Sequence, residues 1–199
     1  MKKVLVFIAL SSMWGMVAHA QTAANDDKTF VGINAGHTII AARVNSALTE
    51  GSLFVPIHIN AFKPLSKNFA LSGLLMYRGV RSPSHTRATS TFGIAVGPSY
   101  TSKYLNGFFV DCKIGFAFTA GRDNDSDHYT RSDFLIQPEV GYFFNLSHKF
   151  TMSIGFGIQS LLRIRENPRM EDVGYEWDNL GKMGQYYLPV ANVTFGVKL

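Results

Sequence analysis

The chain has 199 residues, of which 46% are hydrophobic, 13% aromatic and 17% charged, and its formal net charge is +5. A disordered chain would be less apolar and more charged, and a helical membrane protein would carry about 18 or more consecutive apolar residues per span. Both classes are disfavoured because the mean hydropathy is only +0.06 and the apolar residues are spread along the chain. The length predicts one domain.

Residues 1–20 have the layout of a secretory signal peptide. Lys2 and Lys3 precede an apolar run, and Ala18-His19-Ala20 forms a small-x-small cleavage site. An N-terminal membrane anchor is the alternative, but the apolar run is short and is interrupted by serine and glycine. We therefore predict a leader over 1–20 and a mature domain over 21–199.

Export limits the partners and the redox chemistry of the mature domain. Loss of two lysines with the leader lowers the formal net charge from +5 to +3. Nucleic acid is not expected as a partner of an exported protein. The one cysteine, Cys112, cannot form an internal disulfide, so we expect other interactions to stabilise the domain.

From Phe30 onward the dominant sequence period is two, which is typical of strands with one apolar face. In the clearest run, Phe108, Val110, Cys112, Ile114, Phe116 and Phe118 share one face. In chain order we predict eight strands, at 29–39, 50–62, 69–80, 89–101, 107–119, 132–145, 150–163 and 187–199. The runs contain four prolines, at which we expect bulges or weakened pairing: Pro56, Pro98, Pro138 and Pro189.

The predicted connections alternate between short and long. The long ones are polar and cover 40–49, 81–88, 120–131 and 164–186. Two short turns share a motif, Leu65-Ser66-Lys67-Asn68-Phe69 and Leu146-Ser147-His148-Lys149-Phe150, which we interpret as one turn used twice. Short turns at one end and long loops at the other are typical of outer-membrane barrels.

The two faces of the predicted strands differ in side-chain size. One face is bulky and apolar, whereas the other is mostly Gly, Ala, Ser, Thr and Asn. A lipocalin-like soluble barrel is the alternative, but it would need a bulky interior and a charged exterior. We therefore predict that the bulky face contacts lipid. Its aromatic residues would form two girdles: Tyr77, Phe92, Phe118 and Phe134 near one rim, and Phe69, Tyr100, Phe108, Tyr142, Phe144 and Phe150 near the other.

The leader, the alternation, the turn motifs and the ending Val193-Thr194-Phe195-Gly196-Val197-Lys198-Leu199 together resemble a known class. They are similar to the small eight-stranded, OmpA/OmpX-like outer-membrane barrels of Gram-negative bacteria, in particular the outer membrane protein β-barrel domain family. The resemblance implies an antiparallel up-and-down transmembrane β-barrel in the outer membrane. It implies contact with outer-membrane lipid and lipopolysaccharide, recognition of the C-terminal strand by the barrel-insertion machinery, and a monomer. The chain departs from the pattern in ending with Leu199 instead of Phe or Tyr.

Several charged residues fall on the face that is predicted to line the interior: Arg78, Asp111, Lys113, Asp133, Glu139, Arg163 and Lys198. A symmetric hairpin centred on residue 126 would place Lys113 opposite Glu139, with Asp111 two residues along. Because buried charges are costly unless they are paired, we predict a network of Lys113, Glu139 and Asp111 that Arg78 joins. Structural filling is favoured over a proton or ion path, since eight strands leave little lumen.

The sequence assigns no metal, no cofactor and no catalytic residue. The acidic run Asp123-Asn124-Asp125-Ser126-Asp127 has His128 and Phe134 where an EF-hand loop needs Gly and Glu. The histidines lack metal-ligand spacing. Nucleophilic chemistry would have to use His37 or His85 with Ser82 or Ser84, which residue identity alone does not support.

The favoured function is a non-enzymatic structural or surface-interaction barrel that presents four long external loops to a surface ligand of unknown identity. Four loop arginines, Arg81, Arg87, Arg165 and Arg169, are candidate contacts to anionic lipid, because guanidinium matches phosphate geometry. A lipid-modifying outer-membrane enzyme and a narrow pore are the alternatives.

Overall fold

The computed structural model describes residues 28–36, 53–81, 87–102, 107–123, 128–166 and 185–199. They form eight strands: β1 Phe30–Asn34, β2 Leu53–Pro64, β3 Phe69–Arg81, β4 Arg87–Thr101, β5 Phe108–Asp123, β6 His128–Asn145, β7 Phe150–Glu166 and β8 Gln185–Lys198. Each strand pairs antiparallel with the next, and β8 pairs with β1. The predicted eight-stranded, closed, up-and-down barrel is confirmed. The leader predicted over 1–20 lies outside these residues.

The strand boundaries differ from the prediction mainly at the end with long connections. Residues 120–131 were expected to be a connection, but pairing continues through Gly121 with Tyr129 and Arg122 with His128. β1 is shorter than predicted and ends at Asn34. Backbone hydrogen bonds extend a hairpin beyond the last apolar side chain, because the ladder does not depend on side-chain polarity. The alternation therefore located the strands but underestimated β5 and β6.

The strands are staggered around the barrel. A walk from strand to strand through paired residues passes Val31, Ala61, Gly73, Val96, Ile114, Ile136, Ser160 and Tyr187. On β8, however, the partner of Val31 is Val197, which lies ten residues beyond Tyr187. With about 3.3 Å per residue and about 4.8 Å between strands, this stagger corresponds to a strand tilt of about 40°.

The four prolines interrupt the ladder less than expected. Each is paired with one neighbouring strand, as Pro98 is with Leu71 and Pro138 with Cys112. Pairing skips Pro98 on the side of β5 and Pro138 on the side of β7, and the register continues unchanged. Weakened pairing is thus found at these two positions. The register shift between β6 and β7 lies instead at Ser132/Asp133, where there is no proline.

Two short turns have the same hydrogen bonds. In one, the N–H groups of Leu65 and Ser66 donate to the carbonyl of Phe69 at 2.9 Å. In the other, the N–H groups of Leu146 and Ser147 donate to the carbonyl of Phe150 at 3.0 and 3.1 Å. In both, the serine hydroxyl accepts from the N–H of the phenylalanine, at 3.2 and 3.1 Å. The interpretation of one turn used twice is confirmed.

The interior of the barrel is layered along its axis. Near the short turns, the rings of Phe30, Phe62 and Phe109 pack on Phe143 with centroids 4.6–5.9 Å away. Further along lies an apolar cluster of Leu74, Met76, Ala95, Ala117, Leu135 and Leu161. Buried polar and charged residues lie between and beyond these layers. The expected small polar side chains are present, but the sequence analysis did not predict the two apolar layers.

The outward face is apolar. Its exposed side chains include Ile94, Val96, Ile114, Phe116, Val140 and Phe156. The apolar face was expected to point outward, and it does so in β4, β5, β6 and β7. Among the described residues, no helix is long and apolar enough to cross a membrane.

Candidate functional site

The part of the chain that the structure describes buries six charged side chains in the interior: Arg78, Asp111, Lys113, Arg131, Asp133 and Glu139. Alternation places them there, because side chains two residues apart on a strand share a face. Arg163 and Lys198, also expected to point inward, are half-buried near the barrel ends. Burial of so many charges requires partners.

Lys113 is the centre of the first group. Its Nζ lies 2.9 and 2.7 Å from the two carboxylate oxygens of Asp111 and 3.0 Å from Oε2 of Glu139. The three side chains are at most 3% exposed. Two carboxylates thus share one ammonium group, and the lysine joins β5 to β6 from inside the barrel. We call these three residues the Lys113 cluster.

Hydrogen bonds to neutral groups complete the Lys113 cluster. The amide of Gln137 donates to Glu139 Oε2 at 3.3 Å, and the amide of Asn192 donates to Glu139 Oε1. Asn192 in turn accepts from Thr194, and Asn60 donates to Thr194 at 2.8 Å. Polar contacts therefore cross the lumen from β6 to β8 and reach β2. Such donors stabilise the excess negative charge of the two carboxylates.

The predicted pairing of Lys113 directly opposite Glu139 was wrong. The hairpin pairs Glu139 with Asp111 and Lys113 with Gln137, a shift of two residues. The error arose because the hairpin axis was set at the middle of an assumed loop. Since a shift of two keeps every side chain on its face, the lysine still reaches Glu139 diagonally.

Arg78 joins the same hydrogen-bonded system through two glutamines. Its Nη2 donates to Gln159 Oε1, and Gln159 Nε2 donates to Gln137 Oε1 at 2.9 Å. Gln137 then contacts Glu139. The sequence analysis named Arg78 but missed both glutamines, although each lies on the inward face by simple alternation.

A second ion pair lies nearer the long connections. Arg131 Nη2 is 2.6 Å from Asp133 Oδ1, and its Nε donates to the same oxygen at 2.7 Å. Sequence analysis assigned Arg131 to a connection and missed its role. Arg131 lies two residues before Asp133 on β6 and therefore shares its inward face. Continuing the alternation of β6 back to residue 131 would have identified Arg131 as an interior residue.

Glycines on the inward face make room for these groups. An added Cβ at Gly155 would lie 2.7 Å from Glu139 Oε1, and one at Gly141 would lie 2.6 Å from the ring of Phe109. At Gly93 it would lie 2.6 Å from Met76. Large buried side chains on one strand thus face glycine on the next, as close packing requires.

The space left beside the Lys113 cluster is small. A cavity of about 20 Å³ lies between the aromatic layer and the cluster. Its lining includes Phe109, Phe143, Asp111, Lys113 and Asn192. This volume has room for about one water molecule. Chemically, the arrangement can neutralise the buried charges and hold their side chains in place across the lumen.

The candidate anionic-lipid contacts lie at the end with long connections. Arg81 ends β3 and Arg87 begins β4. Arg165 is exposed near the end of β7. Arg169 lies outside the described residues, as do His37, Ser82, Ser84 and His85, which were considered for nucleophilic chemistry.

The acidic run was also considered as a metal site. Asp123 ends β5, and residues 124–127 lie outside the described part. Elsewhere in the described ranges, no group of three or more His, Cys, Asp or Glu side chains is placed to hold a metal ion.

Comparison of the chain with protein-family models, curated proteins and solved structures finds no match.

Proposed function

We propose that this protein is a β-barrel of the bacterial outer membrane. Its interior is filled by side chains, and its wall anchors external loops that have a structural or surface-interaction role. The observation that carries the proposal is the absence of charge from a continuous outward band. Outward positions of the described strands between Phe69 and Tyr77, Phe92 and Tyr100, Phe108 and Phe118, and Phe134 and Phe144 carry no Asp, Glu, Lys or Arg. Water-exposed barrel walls need such residues, whereas hydrocarbon excludes them.

The height of this band supports the same proposal. Phe108 and Phe118 are ten positions apart on β5, which is about 33 Å along the strand and about 25 Å along a barrel axis at the tilt above. The apolar band of outer-membrane barrels has about this height. Every backbone amide of a closed barrel wall can be paired, as a lipid environment requires.

Aromatic side chains border the band. Tyr77, Phe92 and Phe118 lie in a row across β3, β4 and β5, because Tyr77 pairs with Phe92 and Phe92 with Phe118. At the other end, Phe69 pairs with Tyr100 at a ring distance of 5.6 Å. Two such rows support the assignment of girdles at the two membrane interfaces.

The interior supports a loop-presenting role over a pore. The aromatic layer, the Lys113 cluster and the apolar cluster occupy successive levels of the lumen. The cavity of about 20 Å³ beside the Lys113 cluster is too small for a hydrated ion. A rigid, filled scaffold with variable connections is typical of binding through loops. The expected partners are outer-membrane lipid, lipopolysaccharide, the barrel-insertion machinery and a surface ligand, with the barrel as a monomer.

Gel mobility with and without boiling tests the outer-membrane assignment. Membrane fractions of expressing cells are solubilised in detergent, and we expect the unboiled protein to migrate differently from the boiled one. Recovery of the protein in the soluble periplasm would contradict the proposal and favour a soluble barrel.

Contact with acyl chains is tested by fluorescence quenching. The chain has two tryptophans, Trp14 and Trp177. In a background with both changed to Phe, Phe116→Trp places one indole at an outward position in the middle of the band. We expect strong quenching by phosphatidylcholine brominated on its acyl chains. The matched control changes only Trp14→Phe and keeps Trp177, which belongs to the polar stretch 164–186 that the sequence predicts to be a connection, where quenching should be weak. Equal quenching of the two would contradict the lipid-facing assignment.

Lipopolysaccharide contact is tested at the arginine set Arg81, Arg87, Arg165 and Arg169. Replacement of all four by Gln should weaken binding of lipopolysaccharide to the purified barrel at least tenfold, because each bidentate guanidinium–phosphate contact is lost. Unchanged binding would contradict this assignment and leave the barrel proposal standing.

A further inference from the structure

In the part of the chain that the structure describes, the cations of the barrel are separated by type; Lys103 and Lys182 lie outside it. The arginines of the described strands, at positions 78, 81, 87, 122, 131, 163 and 165, lie in the half of the barrel with long connections. The described lysines other than the buried Lys113 are at positions 28, 63, 67, 149 and 198, around the short turns. Such segregation is not required by the fold, since either cation is soluble at a strand end.

Four exposed lysines occupy one continuous arc of the short-turn rim: Lys149, Lys28, Lys63 and Lys67. The arc runs from the β6–β7 turn past the end of β8 to the residues before β1, the end of β2 and the β2–β3 turn. The N–H of Lys198 donates to the carbonyl of Lys149 at 2.8 Å. Neighbouring strands are about 4.8 Å apart, so the arc is a dense row of positive charge. We call it the lysine arc.

Acidic side chains do not balance the lysine arc within the described residues. Asp111 and Glu139 are buried inside the barrel and paired with Lys113. The other acids, at positions 123, 133 and 166, lie in the half with long connections. Asp26 and Asp27 precede Lys28 outside the described residues, and the four lysines of the arc outnumber these two acids. The rim therefore carries net positive charge next to the apolar band.

We propose that the lysine arc binds the anionic headgroups of phospholipids in the leaflet that surrounds the short turns. This inference rests on the proposed membrane location. Phe69 and Phe150, both exposed, border the apolar band directly beside Lys67 and Lys149. The lysines therefore stand at the level at which phosphate groups lie when the band is in hydrocarbon. An ammonium group on a flexible stem binds phosphate as a point charge and reaches the headgroup by extending along the wall.

Exposed leucines support the placement of the lysine arc at the level of the phosphate groups. Leu65 and Leu146 open the two equivalent turns and are 64% and 49% exposed. Each is followed within three residues by a lysine of the arc. A turn that presents leucine and lysine together matches an interface in which acyl chains and phosphate are adjacent. Anionic phospholipid is thus the occupant that satisfies both kinds of side chain.

Headgroup preference is measured with brominated lipids. In the background without Trp14 and Trp177, Phe150→Trp places an indole beside Lys149, and Phe116→Trp places one on β5 in the middle of the apolar band, away from the lysine arc. The full chain is reconstituted in phosphatidylcholine vesicles that contain 20% brominated phosphatidylglycerol or 20% brominated phosphatidylcholine. At position 150 we expect phosphatidylglycerol to be preferred about fivefold at low salt, consistent with the attraction of lysine to anionic lipid. At position 116 the preference should be near one.

Charge variants separate the arc from general electrostatics. Lys28→Gln, Lys63→Gln, Lys67→Gln and Lys149→Gln together should bring the preference at position 150 to within twofold of one. The matched control removes four arginines of the opposite end, at positions 81, 87, 122 and 165, and should keep it. About 0.5 M salt should also abolish it, because the Debye length becomes shorter than the arc.

Two outcomes would overturn the proposal: no preference at position 150 in the chain that keeps all its lysines, or equal loss of preference in the lysine and arginine variants. The proposed membrane location is tested separately, by quenching of the indole in Phe116→Trp. If this indole is quenched by both brominated lipids while position 150 shows no preference, the lysine arc proposal alone is wrong. If it is not quenched at all, the membrane location is wrong.

Discussion

Two buried ion-paired groups lie at different levels of the same barrel, and they differ in how many strands their ion pairs connect. The Lys113 cluster joins β5 to β6 through ion pairs, and Asn192 extends it to β8. The Arg131–Asp133 ion pair joins residues two apart on β6, and Asp133 is paired with Arg163 of β7 in the ladder. The first group therefore spans the lumen from β5 and β6 to β8, whereas the ion pair of the second runs along one strand.

This difference predicts unequal energetic roles. A buried charge that loses its partner is destabilising in proportion to how completely water is excluded. The Lys113 cluster is closed by the aromatic layer on one side and by the apolar cluster on the other. The Arg131–Asp133 pair is nearer the long connections, and the Arg131 side chain is 6% exposed, against 3% or less in the Lys113 cluster. The following experiments test whether the two groups differ in this way.

The largest effect is expected for Lys113→Met. It leaves two buried carboxylates without a counter-ion, and we expect the free energy of unfolding to fall by about 3–5 kcal/mol. Urea unfolding of the protein in lipid vesicles, followed by gel mobility, measures it.

The control for this variant is a triple variant in which the Lys113 cluster carries no charge. Asp111→Asn and Glu139→Gln combined with Lys113→Met remove all three charges together, and most of the lost stability should return. A triple variant as unstable as the single one would show that shape, not charge balance, determines the effect.

A smaller loss, about 1–3 kcal/mol, is expected for Asp133→Asn, because Arg131 keeps a neutral acceptor and lies close to the loop end. The same urea titration applies. A loss equal to that of Lys113→Met would remove the proposed distinction between the two groups.

Gly155→Ala should destabilise the barrel by about 1–2 kcal/mol through overpacking. Its added Cβ would lie 2.7 Å from Glu139 Oε1, and the carboxylate must move. Gly73→Ala is the matched control, since its nearest neighbour would be 3.8 Å away. Equal effects of the two would show that the Lys113 cluster tolerates displacement.

The smallest effect is expected on ion conductance. In planar bilayers the unaltered barrel should give no channel steps, since the cavity beside the Lys113 cluster, about 20 Å³, holds about one water molecule. Phe143→Ala should also stay at background, because the Lys113 cluster still closes the lumen. Steps in the unaltered protein would favour the pore alternative.

Much of the site was predictable because strand alternation is a local property. The inward positions of Asp111, Lys113, Asp133 and Glu139 follow from the alternation of side chains between the two faces of a strand. An error of two residues in the hairpin register does not change these faces. The pairing register did not follow, since it depends on where the hairpin turns. Arg131 was missed because the apolar pattern fades before the backbone ladder ends.

The sequence by itself determined the eight strands, their order and which face is apolar, because a two-residue period and turn motifs need no distant contacts. Only the tertiary structure decided which residues from different strands meet in the lumen. The stagger of ten residues around the barrel brings Asn192 to Glu139 and the rings of Phe30, Phe62 and Phe109 to Phe143. The physical reason is that closure of a sheet couples the registers of all eight strand pairs, and no single strand carries that information.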